Sequence, residues 1–446
     1  MASNADISPI PDQAGITARI ATPTTRQTAT QRKIQPIFCF ERIAMILRNR
    51  YISIIPHFSP KVKCGFFSNS LEIRTKTCYN NKIRFLRRSL TMNYTKIREE
   101  KYRASLNDRL VGILTRTTCK GISATLCGEA SVLLKCAAGV RSGETSDPMT
   151  TESVFWGDQL AAPILAYMAW KLHEDGVMDL YRPLTEYTAE PFLPGERNLD
   201  YVTGQAILSQ TSGFPRKKNT DGMPTHIEIM PTTLFSYSDY ALLYLQRAMT
   251  QAAKADLQTM AEEMVFKPFR MRSSSFVWRP EYEDLFAHPH TKGEPNKKVR
   301  ADKPNASRYF YTTPTDYCLF LNKIFVPQTS KKCLTPMTLE KMLQPQTELY
   351  SGLKWTAGFG HYESKDGLFL WQFGDNEGSK SLAFIDKEQD ICGCVMVNDD
   401  HGFDACRAFL KDALGSSLEA WDKYDGFSLE KLRYEQKLKA ARKKYS

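Results

Sequence analysis

Four oxygen-bearing side chains stand where acid–base work could be done: Asp158, Tyr237, Asp239 and Asp375. Paired carboxylates whose pKa values are driven apart can divide the roles of general acid and general base. Sequence spacing alone does not bring these four together. Tyr237 is a poor base by itself, because a phenol of pKa about 10 needs a cationic neighbour to ionise near neutrality. The seven histidines show no metal-ligand spacing. His173 falls at the end of a helical pattern, where a cation suits the helix dipole, so a structural role is assigned to it. Eleven cysteines are scattered from Cys39 to Cys406 with no Cys-x-x-Cys pair. Cys392-Gly393-Cys394 lies in an apolar run whose alternate residues share one face, which reads as buried core thiols in a reducing compartment. No metal and no cofactor is expected.

The elements that must carry these groups are legible from about residue 100 onward. Gly121–Cys127 and Ser131–Ala138 read as two strands about a turn at 128–130. Asp158–His173 reads as a helix, with Leu160, Ile164, Tyr167, Met168 and Leu172 at helical spacing and Gly176 just past its end. Tyr240–Ala253 and Ala255–Phe266 read as two more. Ala357–Tyr362, Leu368–Phe373, Ser381–Ile385 and Ile391–Val397 read as an antiparallel meander with polar turns. Phe403–Leu414 follows as an amphipathic helix. Strands at both ends with helices between them predict an α+β fold, its antiparallel sheet built from the two chain ends and flanked by terminal helices, with a helical lobe between.

The chain of 446 residues carries a net charge of +11, and residues 1–95 account for all of it, with 15 Lys or Arg against four acids. The remaining residues balance, so the basic character does not mark a folded nucleic-acid-binding face. Residues 1–100 are read as a basic extension, either disordered or targeting, or as sequence ahead of a start at Met92. Their Ser/Thr-rich, acid-poor composition overlaps that of a transit peptide, and no secretory signal is visible, so a cytoplasmic or mitochondrial location is expected. Charged residues interrupt the apolar stretch 37–55, so no transmembrane segment is expected. Residues 421–446 are read as a basic, solvated helical tail, with seven bases and two acids from Glu430 onward.

Six segments, in order, carry a resemblance. Val154–Pro163 with Ile164–Tyr167 and Leu172–Gly176 resembles a nucleophile helix. Ile207–Pro215 resembles "LL-x-H-T-S-G-x-P", and Phe235–Asp239 resembles "F-x-Y-S-N". Val265–Met271 resembles "V-F-x-P-L-G-M", Tyr311–Tyr317 "x-T-T-x-x-D-Y", and Trp371–Gly378 "x-H-x-G-D-N-x-G". Residues 105–415 thus resemble the serine β-lactamase and penicillin-binding-protein superfamily, in particular its class C-like branch of β-lactamases, esterases and transesterases. The resemblance implies a β-lactamase/transpeptidase-like domain over residues 101–420, with the active site in the cleft between its two lobes. It also implies a Ser-x-x-Lys on the first turn of the helix, a Tyr as proton shuttle, and a Lys or His in the third motif.

The sequence departs from that pattern at the decisive places. Gln159 stands at the Ser position and Ala162 at the Lys position; Asp239 replaces the Asn of the second motif and Gln372 the Lys or His of the third. Tyr237 and Gly374 remain. An amide is no acyl-accepting nucleophile, and Ala has no titratable group. Asp158 suits a helix N-cap. Gly374 suits a strand passing close to a helix or a ligand. Asp375-Asn376 reads as a turn. Two Ser-x-x-Lys strings, Ser351–Lys354 and Ser428–Lys431, do not precede a buried helix. The reading is a pseudoenzyme that binds a small acyl or peptide-like ligand, or a protein partner, in a retained cleft where Tyr237 is a vestige. The alternative is an acyl hydrolase or transesterase using non-standard residues.

Overall fold

Helical spacing of apolar residues builds α1 (Glu100–Thr117), which buries Leu106, Leu110, Ile113 and Leu114. The computed structural model describes residues 100–128, 131–216, 224–326, 330, 332–364, 367–387, 389–414, 419–425 and 429–445. The turn expected at 128–130 and the segment before residue 100 fall largely outside this set.

Eight strands form one antiparallel sheet: β1 (Gly121–Cys127), β2 (Val132–Gly139), β3 (Thr347–Glu348), β4 (Leu353–Trp355), β5 (Gly360–Ser364), β6 (Gly367–Asn376), β7 (Ser379–Asp386) and β8 (Ile391–Val397), in the order β2-β1-β8-β7-β6-β5-β4-β3. The two chain ends meet one strand in from the β2 edge, where Ile122 faces Val397 and Cys127 faces Cys392 across β1 and β8. The meander is therefore as expected, with β3 and β4 added beyond it. The strand of the motif Trp371–Gly378 is longer than its apolar run. Asp375 and Asn376 are its last residues rather than a turn, and the reversal is made by Glu377 and by Gly378 at φ +77°.

Both faces of the sheet are covered, and β8 shows why its sequence is apolar throughout. Ile391, Val395 and Val397 join the cluster of α1 and α5 (Gly402–Leu414), whereas Cys392, Cys394 and Met396 join that of α2 (Ala161–Glu174) and α4 (Pro314–Phe325). The expected core thiols are thus buried. α2 is sheathed on all sides, with every residue from Ala161 to Leu172 buried. Its expected first turn, Asp158–Leu160, is a 3₁₀ turn. α3 (Asp239–Ala253) matches the expected helix and is capped by Ser238, whose hydroxyl accepts the Ala241 N–H.

The helix expected at Ala255–Phe266 is broken up. Asp256 caps the Thr259 N–H, so the helix starts after it as Leu257–Ala261 and widens into a π turn at Glu262–Phe266. Two further helices, α6 (Glu419–Asp425) and α7 (Leu429–Tyr445), end the chain.

The fully buried Tyr317 ties α4 to the start of α2, its hydroxyl donating to the Leu160 carbonyl at 3.0 Å. Tyr317→Phe leaves that carbonyl buried without its partner, so a loss of about 1–3 kcal/mol is expected from urea unfolding. His290, also fully buried, faces the Asn398 carbonyl through Nδ1 at 2.8 Å and accepts the Gly143 N–H at Nε2 at 3.0 Å. That pair of contacts selects the neutral ring. Burial is the main cause that lowers its pKa below 6.5, as it is for His288 and His361. The unfolded chain therefore takes up these protons first. The stability they supply is complete above pH about 6.5 and is lost as the pH falls below it. The urea midpoint should drop between pH 7.5 and 5.5, and by less in His290→Gln.

Candidate functional site

Gly374 on β6 packs directly on the backbone that begins the helical layer. A Cβ built there would lie 2.7 Å from the Gly157 carbonyl oxygen and 2.2 Å from Ser381 Oγ. The next residue after Gly157, Asp158, is buried with φ +44°, a backbone that L residues rarely adopt. The turn it makes presents Gln159 to the strand. Gln159 Oε1 accepts the backbone N–H of Asp375 at 2.7 Å. Ala162, one turn further on, is buried and brings no polar side-chain atom. Gln372 is fully buried, its Oε1 accepting the Phe373 N–H at 3.1 Å and its amide nitrogen 3.5 Å from the Gly358 carbonyl.

Tyr237 packs against the aromatic cluster that β4 and β6 carry. Its ring lies 6.0 Å from that of Trp355 and 6.3 Å from that of Phe373. The ring is partly exposed, but its hydroxyl is buried and bonded to nothing among the described residues. Burial pushes the phenol well above its ordinary pKa of 10, and the nearby charges of Asp239 and Asp158 push it further. Arg216 acts in the opposite direction and does not restore it. The group is held protonated and is not a base at neutral pH. The backbone around it is pinned from below by Gln210, whose carbonyl accepts from Ser236 N and whose side chain accepts from Ser238 N. Asp239 opens α3 and is buried.

The fold therefore gathers most of the expected positions. Gln159 and Gly374 meet at one contact, with Ala162 and Gln372 buried beside it, and Asp158 and Asp239 act on the same phenol. Asp375 joins through its backbone only. Its carboxylate pairs with Lys380 at 3.0 Å, and Lys380 in turn lies over the Phe403 ring. The Trp156 indole N–H donates to the Arg308 carbonyl at 2.6 Å. Three contributors escaped the sequence reading: Arg216, Phe373 and Tyr424, whose ring sits 5.4 Å from that of Phe373. Arg216 directly follows a recognised motif, but nothing in its spacing signals a role. Tyr424 lies in the segment read as tail. No group of three His, Cys, Asp or Glu among the described residues could hold a metal ion, and no described helix is long and apolar enough to cross a membrane.

Residues 106–416 match the family model described as Beta-lactamase. The chain belongs to the beta-lactamase family. Solved structures agree on the fold. A class C beta-lactamase is 14% identical, with 72% of this chain and 97% of that one aligned at a TM-score of 0.61. D-alanine carboxypeptidase AmpC from Burkholderia cenocepacia is 16% identical over 70% of this chain and 98% of its own, at a TM-score of 0.59. The octameric penicillin-binding protein homologue from Pyrococcus abyssi is 17% identical over 70% and 78%, also at 0.59. No curated protein matches the chain.

The unbonded hydroxyl gives a direct test of this beta-lactamase-family site. A buried donor without a partner costs free energy, so removing it costs nothing. Tyr237→Phe should leave stability unchanged or raise it by up to about 1–3 kcal/mol, read from thermal and urea unfolding. A clear loss would reveal a partner for the hydroxyl.

Proposed function

We propose that the protein is a beta-lactamase-family pseudoenzyme, which binds a small acyl or peptide-like ligand at the retained site and does not form an acyl-enzyme. The observation that carries this reading is the Gln159–Asp375 contact. A backbone N–H on a strand beside a helix start is the kind of donor that stabilises a developing oxyanion. Here the side chain at the nucleophile position occupies that donor with its own carbonyl oxygen. Serving as acceptor, the Gln159 amide is also no nucleophile. Ala162 supplies no proton acceptor next to it, and neutral Gln372 supplies no cation over the site. The protonated Tyr237 adds neither.

One observation favours a second reading. Asp158 and Asp239 both act on Tyr237, so carboxylates and a phenol share one neighbourhood. An acid–base hydrolase with those groups would turn over an ester without an adduct.

Intact mass after exposure to a fluorophosphonate and to a penicillin, with turnover of a chromogenic ester, distinguishes the readings. The native chain should gain no mass and turn over nothing, while Gln159→Ser with Ala162→Lys should take up label. Stoichiometric labelling of the native chain would overturn the pseudoenzyme reading. Turnover without label, abolished in Asp239→Asn, would establish the second.

A further inference from the structure

The family match ends at residue 416, yet the chain goes on to make two helices, and both return to the site. α6 lays Tyr424 against β6, with its ring 5.4 Å from Phe373 and 6.2 Å from Trp371. Phe373 is the ring that flanks Tyr237. The Tyr424 carbonyl is held by the Tyr350 hydroxyl at 2.7 Å and by Lys431 Nζ at 2.9 Å. α7 then runs along the second motif itself. Tyr434 donates its hydroxyl to the Phe235 carbonyl at 2.8 Å. Two turns later, Arg442 pairs with Glu228 at 2.9 Å and donates to Ser236 Oγ at 3.3 Å. Phe235 and Ser236 are the two residues immediately before Tyr237.

The attachment is built from polar contacts. The side of α7 that touches the domain, at Lys431, Tyr434, Leu438, Ala441 and Arg442, is only half-buried, and the other described side chains from Glu430 to Lys444 are exposed. A shallow open groove runs beside it, lined by Leu349, Tyr350, Gly352 and by Glu430, Arg433 and Tyr434 of α7 itself. A helix that is polar all round is not stable in isolation, so the helicity of α7 depends on its being docked. The Arg442–Glu228 pair is partly exposed, and such pairs weaken as salt rises.

We propose that the helices α6 and α7 are a releasable strap that covers Phe373 and the backbone leading into Tyr237, with Arg442 on Glu228 as the latch. Docked, the strap covers Phe373 and the backbone of the second motif. Released, it exposes both. The proposal takes the site of the preceding section as the place being covered, but it does not need that site to bind or to react.

Hydrogen exchange on the full chain tests the strap by itself. Peptides from α7 should be protected at low salt. They should exchange faster, by roughly fivefold or more, in Arg442→Glu and in the wild-type chain at high salt. Peptides spanning 235–239 and 371–375 should accelerate together with them, while β8 stays unchanged as the internal reference. The exchanged pair, Arg442→Glu with Glu228→Arg, should restore protection. Three results would each overturn the proposal: free exchange of α7 in the wild-type chain at low salt, indifference of α7 to Arg442→Glu, or release of α7 with no change at 235–239 and 371–375. None of these readouts depends on labelling of the site, so the strap and the pseudoenzyme reading can fail separately.

Discussion

Everything at the site depends on two backbones touching. Gly374 lets β6 approach the peptide that precedes the first turn of the helical layer, and any side chain there would drive the two apart. Close approach brings the Asp375 N–H within reach of Gln159. It also aligns the strand that carries Phe373, and Phe373 carries Tyr237 on one side and Tyr424 on the other. The left-handed backbone at Asp158 is tolerated because its neighbours fix it: Gly157 donates to the Phe310 carbonyl, and Leu160 receives the Tyr317 hydroxyl. Strain of this kind is held only where the surrounding packing over-determines it.

The chemistry of the contact differs from its geometry. A strand N–H pointed at a helix start is a donor of the kind that can hold an oxyanion. The side chains that fill it are amide, methyl, amide and protonated phenol. The Gln159 amide satisfies the donor internally.

Much of this fold was legible in the sequence, because its signals were local. The spacing of α2 and α5 reports burial directly, and the unbroken apolar run of β8 reports a strand covered on both faces. Where two local signals competed, the reading slipped. Asp256 caps a helix that apolar spacing would have begun earlier, and Asp375-Asn376 has turn chemistry but sits in a strand because Gly378 makes the reversal. The site was legible in part. Motif order placed Gln159, Ala162, Tyr237, Gln372 and Gly374 together, but not the direction of the Gln159 side chain, which is fixed by a strand distant in sequence. The tail was read by composition alone. Its composition is that of a solvated helix, and the two residues that dock it, Tyr434 and Arg442, are spaced as any helix surface would be.

The pairing of β1 with β8 has a consequence for how the protein is made. This pair of strands joins residues separated by roughly 270 positions, as in Ile122 opposite Val397. At the usual speed of synthesis, about 5–20 residues per second, β1 waits some 15–50 s for its partner. During that interval a strand whose every residue is destined for burial has β2 on one edge and nothing paired on the other. The last-made third of the domain completes the first-made, so the nascent chain carries an open sheet edge for most of its synthesis. That edge is where chaperones or misassembly would meet it first.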